Sequence, residues 1–238
     1  MNSMLKKYGY FIASAALLLI FIVFTILVKT VDVTFIDYEN ASNSFYLGFS
    51  GINFKFADLI NKFGKANSMS KMSDIILYLS FAYILALFIF ALIELIKNKS
   101  FKKLNKNYYL VLGGYVVTVI FYFVFEVVKV NYSPESIYGR MKPSYPSSHV
   151  LLGCMFYLLN TFTAMKLLKP EKEWIKPLVF AATGVICLLL IFTRALSSKH
   201  WLTDIIASII LVSSLYTLFI GVHHKLVPIS PKEAKEIE

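Results

Sequence analysis

The chain is nearly devoid of arginine: of its 24 basic residues only Arg140 and Arg194 are arginine, the rest lysine. Charge of either sign is sparse at 16% of 238 residues, and there are two cysteines and two tryptophans. Cys154 and Cys187 both fall inside apolar blocks, where they act as small buried hydrophobes, so neither a disulfide framework nor a thiolate metal site is expected. With 58% hydrophobic residues arranged in long unbroken runs, the composition excludes a disordered chain and an ordinary soluble domain. The formal charge of +10 suggests nucleic acid at first, but the lysines cluster in short segments between apolar blocks, as topology determinants do, and nucleic acid is set aside.

Six apolar blocks are present, at about 9–29, 75–96, 108–128, 148–168, 177–195 and 203–222, each near the length of a bilayer-crossing helix. The predicted fold is therefore all-α: a six-transmembrane-helix bundle forming one membrane domain over 1–238. The first block is longer than a signal-peptide core and is followed by no small-residue cleavage site, so it counts as a span. Lysines crowd the connections 97–106 and 166–176 and both termini, which places the N- and C-termini in the cytoplasm by the positive-inside rule. The lysine bias is that of a low-GC bacterial genome, and the expected location is the plasma membrane. The connection 30–73 then lies outside the cytoplasm. Phe56, Leu59, Ile60 and Phe63 within it share one helical face, which fits an interfacial helix lying on the bilayer, the alternative being a loop that simply packs on the domain.

Every unusual polar cluster falls at a helix end on that same extracytoplasmic side. The first runs from Lys129 through Arg140 and Lys142 and supplies three cations. The second, Ser144-Tyr-Pro-Ser-Ser-His149, precedes the fourth span, where Ser147 or Ser148 can cap the helix and its first N–H groups form an anion site. The third runs from Thr193-Arg194 to His200 and Asp204, the last two being four apart and expected on one helical face. A neutral imidazole can attack phosphorus if a carboxylate accepts its other N–H, which makes His200 the candidate nucleophile and Asp204 its orienter. His149 is the candidate proton donor to the leaving group. Arg194, Arg140, Lys142, Lys129, Ser147 and Ser148 are candidate phosphate contacts. No acidic cluster of the kind that holds Mg²⁺ or Ca²⁺ accompanies them, so no metal and no cofactor is expected.

Arg194, five residues, His200, three residues, Asp204, preceded by Tyr-Pro-Ser-Ser-His149, resembles the type 2 phosphatidic acid phosphatase superfamily, which includes lipid phosphate phosphatases and vanadium haloperoxidases. The family's third motif is Ser-Arg-x5-His-x3-Asp, with Thr193 here for the serine; its second is Pro-Ser-Gly-His, with Ser148 here for the glycine. Its first is Lys-x6-Arg-Pro, whereas Lys129 leads into Asn-Tyr-Ser133-Pro134, leaving Arg140 or Lys142 to take the arginine's place. The resemblance implies a six-span enzyme that hydrolyses a lipid phosphomonoester or diphosphate. Phosphatidic acid, phosphatidylglycerol phosphate and undecaprenyl diphosphate are the candidates. Two rivals stand beside it: a catalytically impaired lipid-binding or scaffolding protein of the same fold, and a small transporter. The oligomeric state is not legible.

Overall fold

A computed structural model describes residues 3–36, 45–135 and 142–227. It contains seven α-helices and one short antiparallel hairpin. Six of the helices are long and apolar enough to cross a membrane: α1 (Ser3–Thr30), α3 (Ala66–Asn98), α4 (Lys106–Val127), α5 (Ser148–Leu168), α6 (Ile175–Ala195) and α7 (Leu202–Leu226). Within hydrocarbon a helix satisfies its own backbone, so long apolar runs take this form. The protein is a multi-pass membrane protein, and α5 is its axis: 78% of its apolar window is buried, against 17% for α1, α4 and α6.

Close approach rather than hydrophobic contrast holds helices together in lipid, and small residues make it possible. At Gly153 of α5 an added Cβ would stand 2.4 Å from Leu190 Cδ2 of α6. Polar side chains add bonds between helices: Ser14 Oγ of α1 donates to the Ser214 carbonyl of α7 at 3.0 Å, and Ser214 Oγ returns one to the Ser14 carbonyl at 2.9 Å. At the end where the chain enters and leaves the bundle, Tyr10 stacks on His224 at 5.2 Å, so α1 starts and α7 finishes on the same side.

The opposite end carries a cap. Strands β1 (Thr34–Ile36) and β2 (Phe45–Leu47) pair antiparallel, and α2 (Ser50–Phe63) follows. Gly48 allows the turn into α2 because any Cβ there would lie 1.8 Å from the Val28 carbonyl oxygen. Ile36, Phe45 and Leu47 gather around Trp201, which is 1% exposed and donates Nε1–H to the Tyr132 carbonyl at 2.7 Å. Trp201 is thus the centre of a second small core.

The connection 30–73 differs from expectation in one respect. Helix α3 begins at Ala66, seven residues before the expected end of the loop at Ser73, and it buries Ser70 and Ser73, which no apolar run includes. The helix expected around Phe56 is α2. Ile60 and Asn53 are its buried line, and Asn53 Nδ2 reaches Thr203 Oγ1 at 3.2 Å at the start of α7. Leu59 and Phe63 are exposed, so α2 packs on the domain while keeping an apolar outer face.

Candidate active site

The capped end brings the second and third sequence clusters together. Helix α6 stops at Ala195, where Ser197 Oγ donates to the Arg194 carbonyl at 2.7 Å and Ser198 turns the chain through a left-handed conformation, φ 56°. The tight reversal delivers His200 two residues before α7. His200 and Asp204 therefore do not share a helical face, as their spacing predicts; Trp201 is the N-cap, and Asp204 sits in the first turn of α7.

Asp204 is fully buried. Its Oδ2 accepts the Trp201 N–H at 3.1 Å and its Oδ1 accepts Asn131 Nδ2–H at 3.0 Å. His200 Nδ1 lies 3.6 Å from Asp204 Oδ2 but only 2.9 Å from the Ser144 carbonyl, to which it donates. The tautomer is thus held by a backbone oxygen, with the Asp204 carboxylate supplying charge beside it. Ser144 is placed by a strand-like pairing of the segments flanking 136–141: Ser133 N–H donates to the Lys142 carbonyl at 2.9 Å, and Ser144 N–H to the Asn131 carbonyl at 3.0 Å.

Burial pushes the His200 imidazole below the usual histidine range, Asp204 pulls it back up, and the Arg194 guanidinium pushes it down again. With Nδ1 occupied, Nε2 is buried without a hydrogen-bond partner. A neutral ring held in this tautomer presents the lone pair of Nε2.

His149, in the first turn of α5, binds Asp74 Oδ1 through Nε2 at 2.8 Å, and its Nδ1 is buried without a partner. Asp74 Oδ1 also lies 3.8 Å from Arg194 Nη1, which contacts Ser73 Oγ at 3.4 Å. Arg194 Nε, Ser144 Oγ, Ser147 Oγ and Ser198 Oγ are likewise buried and unpartnered. Buried polar atoms are normally satisfied, so these unpartnered atoms leave the segments 144–149 and 194–200 with donors and acceptors that a polar guest can take up. Ser147 occupies the N-cap of α5 but makes no side-chain cap bond, leaving that hydroxyl for the same guest. Ser148 and His200 line a cleft of ≈290 Å³, part of it open to solvent, that reaches Tyr122, Phe125 and Glu126 of α4.

Of the remaining predicted contacts, Lys129 and Lys142 are exposed on the rim, and Arg140 lies outside the described residues. Asp74, Asn131 and the Ser144 carbonyl are new. No motif contains Asp74, and a backbone carbonyl has no signature in residue type.

The model of the PAP2 superfamily matches residues 75–227, well over half of the chain, and those residues include Arg194, His200, Asp204 and His149. The chain belongs to the PAP2 superfamily. The fold agrees: the crystal structure of the first transmembrane PAP2 type phosphatidylglycerolphosphate phosphatase from Bacillus subtilis superposes with a TM-score of 0.63 at 18% identity, covering 91% of this chain and 98% of that one. No curated protein matches. Within a PAP2 chain, Thr193 at the serine position of the third motif turns its hydroxyl to the Leu189 carbonyl of its own helix at 2.7 Å.

Proposed function

We propose that this PAP2 protein is a membrane lipid phosphatase that cleaves a phosphomonoester or diphosphate of a lipid through a phosphohistidine on His200. The observation that carries the reading is the buried, unpartnered Nε2 of His200, with Nδ1–H held by Ser144 and Asp204, amid unpartnered donors. In the first step Nε2 attacks phosphorus, the bond from phosphorus to the lipid oxygen breaks, and the departing oxygen takes a proton from His149 Nδ1. Arg194, the Ser147 and Ser148 hydroxyls and the first N–H groups of α5 stabilise charge on the three equatorial oxygens. The exposed Lys142 and Lys129 attract the headgroup, and Arg140 is a further candidate for that contact. Water then attacks the phosphohistidine while the now neutral His149 takes its proton, releasing phosphate.

This scheme draws its positive charge from side chains and needs no metal. The site sits at the end of the bundle, where a lipid keeps its tail in the bilayer and presents its phosphate; the lysine pattern puts that end outside the cytoplasm of a bacterial cell. Phosphatidylglycerol phosphate is the first substrate to try, since the superposing Bacillus subtilis protein is a phosphatase of that lipid, with phosphatidic acid and undecaprenyl diphosphate beside it. Purified protein in detergent with EDTA is expected to release phosphate from at least one of them, and His200→Ala to release none. Folded wild-type protein that releases none from any would favour a lipid-binding or scaffolding role.

A further inference from the structure

Helix α3 carries none of the motif residues, yet at Asp74 it enters the site. We infer that Asp74 is the positioning carboxylate of His149, forming a second His/Asp pair that aims Nδ1 at the leaving group; the inference rests on the phosphatase reading above. Three observations point to it. The Asp74 Oδ1 to His149 Nε2 distance is 2.8 Å, that of a full hydrogen bond, whereas Arg194 Nη1 stands at 3.8 Å. His149 Nδ1 is buried and unpartnered, so once Nε2–H is engaged by Asp74 this is the nitrogen left for chemistry. Finally, Ser73 Oγ, one residue earlier in α3, contacts the same Arg194 Nη1 at 3.4 Å, so one turn of α3 aligns both the proton donor and the phosphate-binding guanidinium.

A carboxylate on Nε2–H stabilises the imidazolium from which Nδ1–H is given up, and it fixes the plane of the ring. As the bond from phosphorus to oxygen breaks, the electron pair goes to the lipid oxygen and the Nδ1 proton follows, leaving His149 neutral with Nε2–H still on Asp74. The demand for that proton depends on the leaving group. A lipid alkoxide needs it fully, whereas p-nitrophenolate, a weak base, hardly needs it.

The test compares wild type, Asp74→Asn and Asp74→Glu on dioctanoyl phosphatidic acid and on p-nitrophenyl phosphate, with His200→Ala as the control. General acid catalysis contributes about 10²–10⁴-fold. For Asp74→Asn, the rate of leaving-group release in the first turnover, before hydrolysis of the shared phosphohistidine, is expected to fall roughly 10²-fold on the lipid and less than about 10-fold on p-nitrophenyl phosphate, with Asp74→Glu recovering part of the lipid rate. Equal losses on both substrates, a loss confined to KM, or no loss overturns the inference. Wild-type protein inactive on both substrates, or activity surviving in His200→Ala, would instead remove the phosphatase reading beneath it. Nitrogen-15 NMR of the wild type tests the pairing without any variant: a proton on His149 Nε2 supports it, and a neutral ring protonated only at Nδ1 overturns it.

Discussion

Two His/Asp pairs face one another across this site, and they are built in opposite ways. Asp204 is sealed, 0% exposed, and its carboxylate is committed to Trp201 N–H and Asn131 before it serves His200, itself only 6% exposed. Asp74 is 38% exposed and His149 22%, and their carboxylate is shared with Arg194. A nucleophile is needed in a single state, neutral and fixed, and burial enforces both. A proton donor has to be recharged in every cycle, and contact with water permits that. The difference in burial thus matches the difference in the tasks proposed for the two pairs.

The contrast can be broken first at Asp204. Asp204→Asn leaves a shape of the same size but turns an amide NH₂ toward one of its two donors, Trp201 N–H or Asn131 Nδ2–H, and removes the charge beside His200, so kcat is expected to fall about 10³–10⁴-fold, as when the orienting carboxylate of a serine-protease triad is replaced. Because the site is sealed, the loss should be equal for lipid phosphates and p-nitrophenyl phosphate. A loss that depends on the leaving group would show that Asp204 serves proton donation instead.

His149→Ala comes next. Removing the proton donor should slow phosphohistidine formation roughly 10²–10³-fold on a lipid phosphate and much less on an activated aryl phosphate. Phosphohistidine formed from the aryl substrate should then persist, since the same variant lacks the base for hydrolysis; because phosphohistidine is labile in acid and stable in alkali, phosphorus-31 NMR at alkaline pH checks this. No accumulated intermediate, with equal losses on both substrates, would make His149 structural.

The third is a matter of pH. Burial holds His200 below its ordinary value of 6.5, so on acidification the unfolded chain takes up a proton at this position before the folded protein does. The stability derived from it is complete above pH 6.5 and declines as pH falls from there toward the lowered folded value, by at most about 1.4 kcal/mol for each unit of displacement. An NMR titration of labelled histidine in micelles should find His200 titrating below 6.5. Titration at or above 6.5 would mean that the pair is wetter than its packing shows.

How much of this could be read beforehand follows the same contrast. Arg194, His200 and Asp204 lie within eleven consecutive residues, 194–204, and a short spacing survives in sequence whatever turn it adopts. Even there the local geometry was not legible, because the left-handed turn at Ser198 keeps His200 off the helix and hands its Nδ1–H to Ser144. The six spans were legible because hydrocarbon admits few structures and apolar length reports them directly. Asp74 was hidden because its partners His149 and Arg194 come from other helices, 75 and 120 positions away. Its neighbourhood, Ser70 to Ser73, is too polar to look like a span.

The smallest effect is expected on the rim. Glu135 stands seven residues before Lys142-Pro143, the spacing of the PAP2 first motif with an acid in the lysine's place, and its Oε1 pairs with Lys199 Nζ beside the nucleophile. Both partners are about a third or more exposed, so the pair contributes at most about 1 kcal/mol to stability. Its charge lies next to His200 in sequence, however, and a lysine released from Glu135 is free to meet an incoming headgroup. Glu135→Gln is therefore expected to leave kcat within about twofold and to lower KM for lipid phosphates by a few-fold at low salt, with the gain vanishing as salt screens it. A fall in kcat instead would place Glu135 with the buried pairs, as part of the scaffold that holds residue 200 in place.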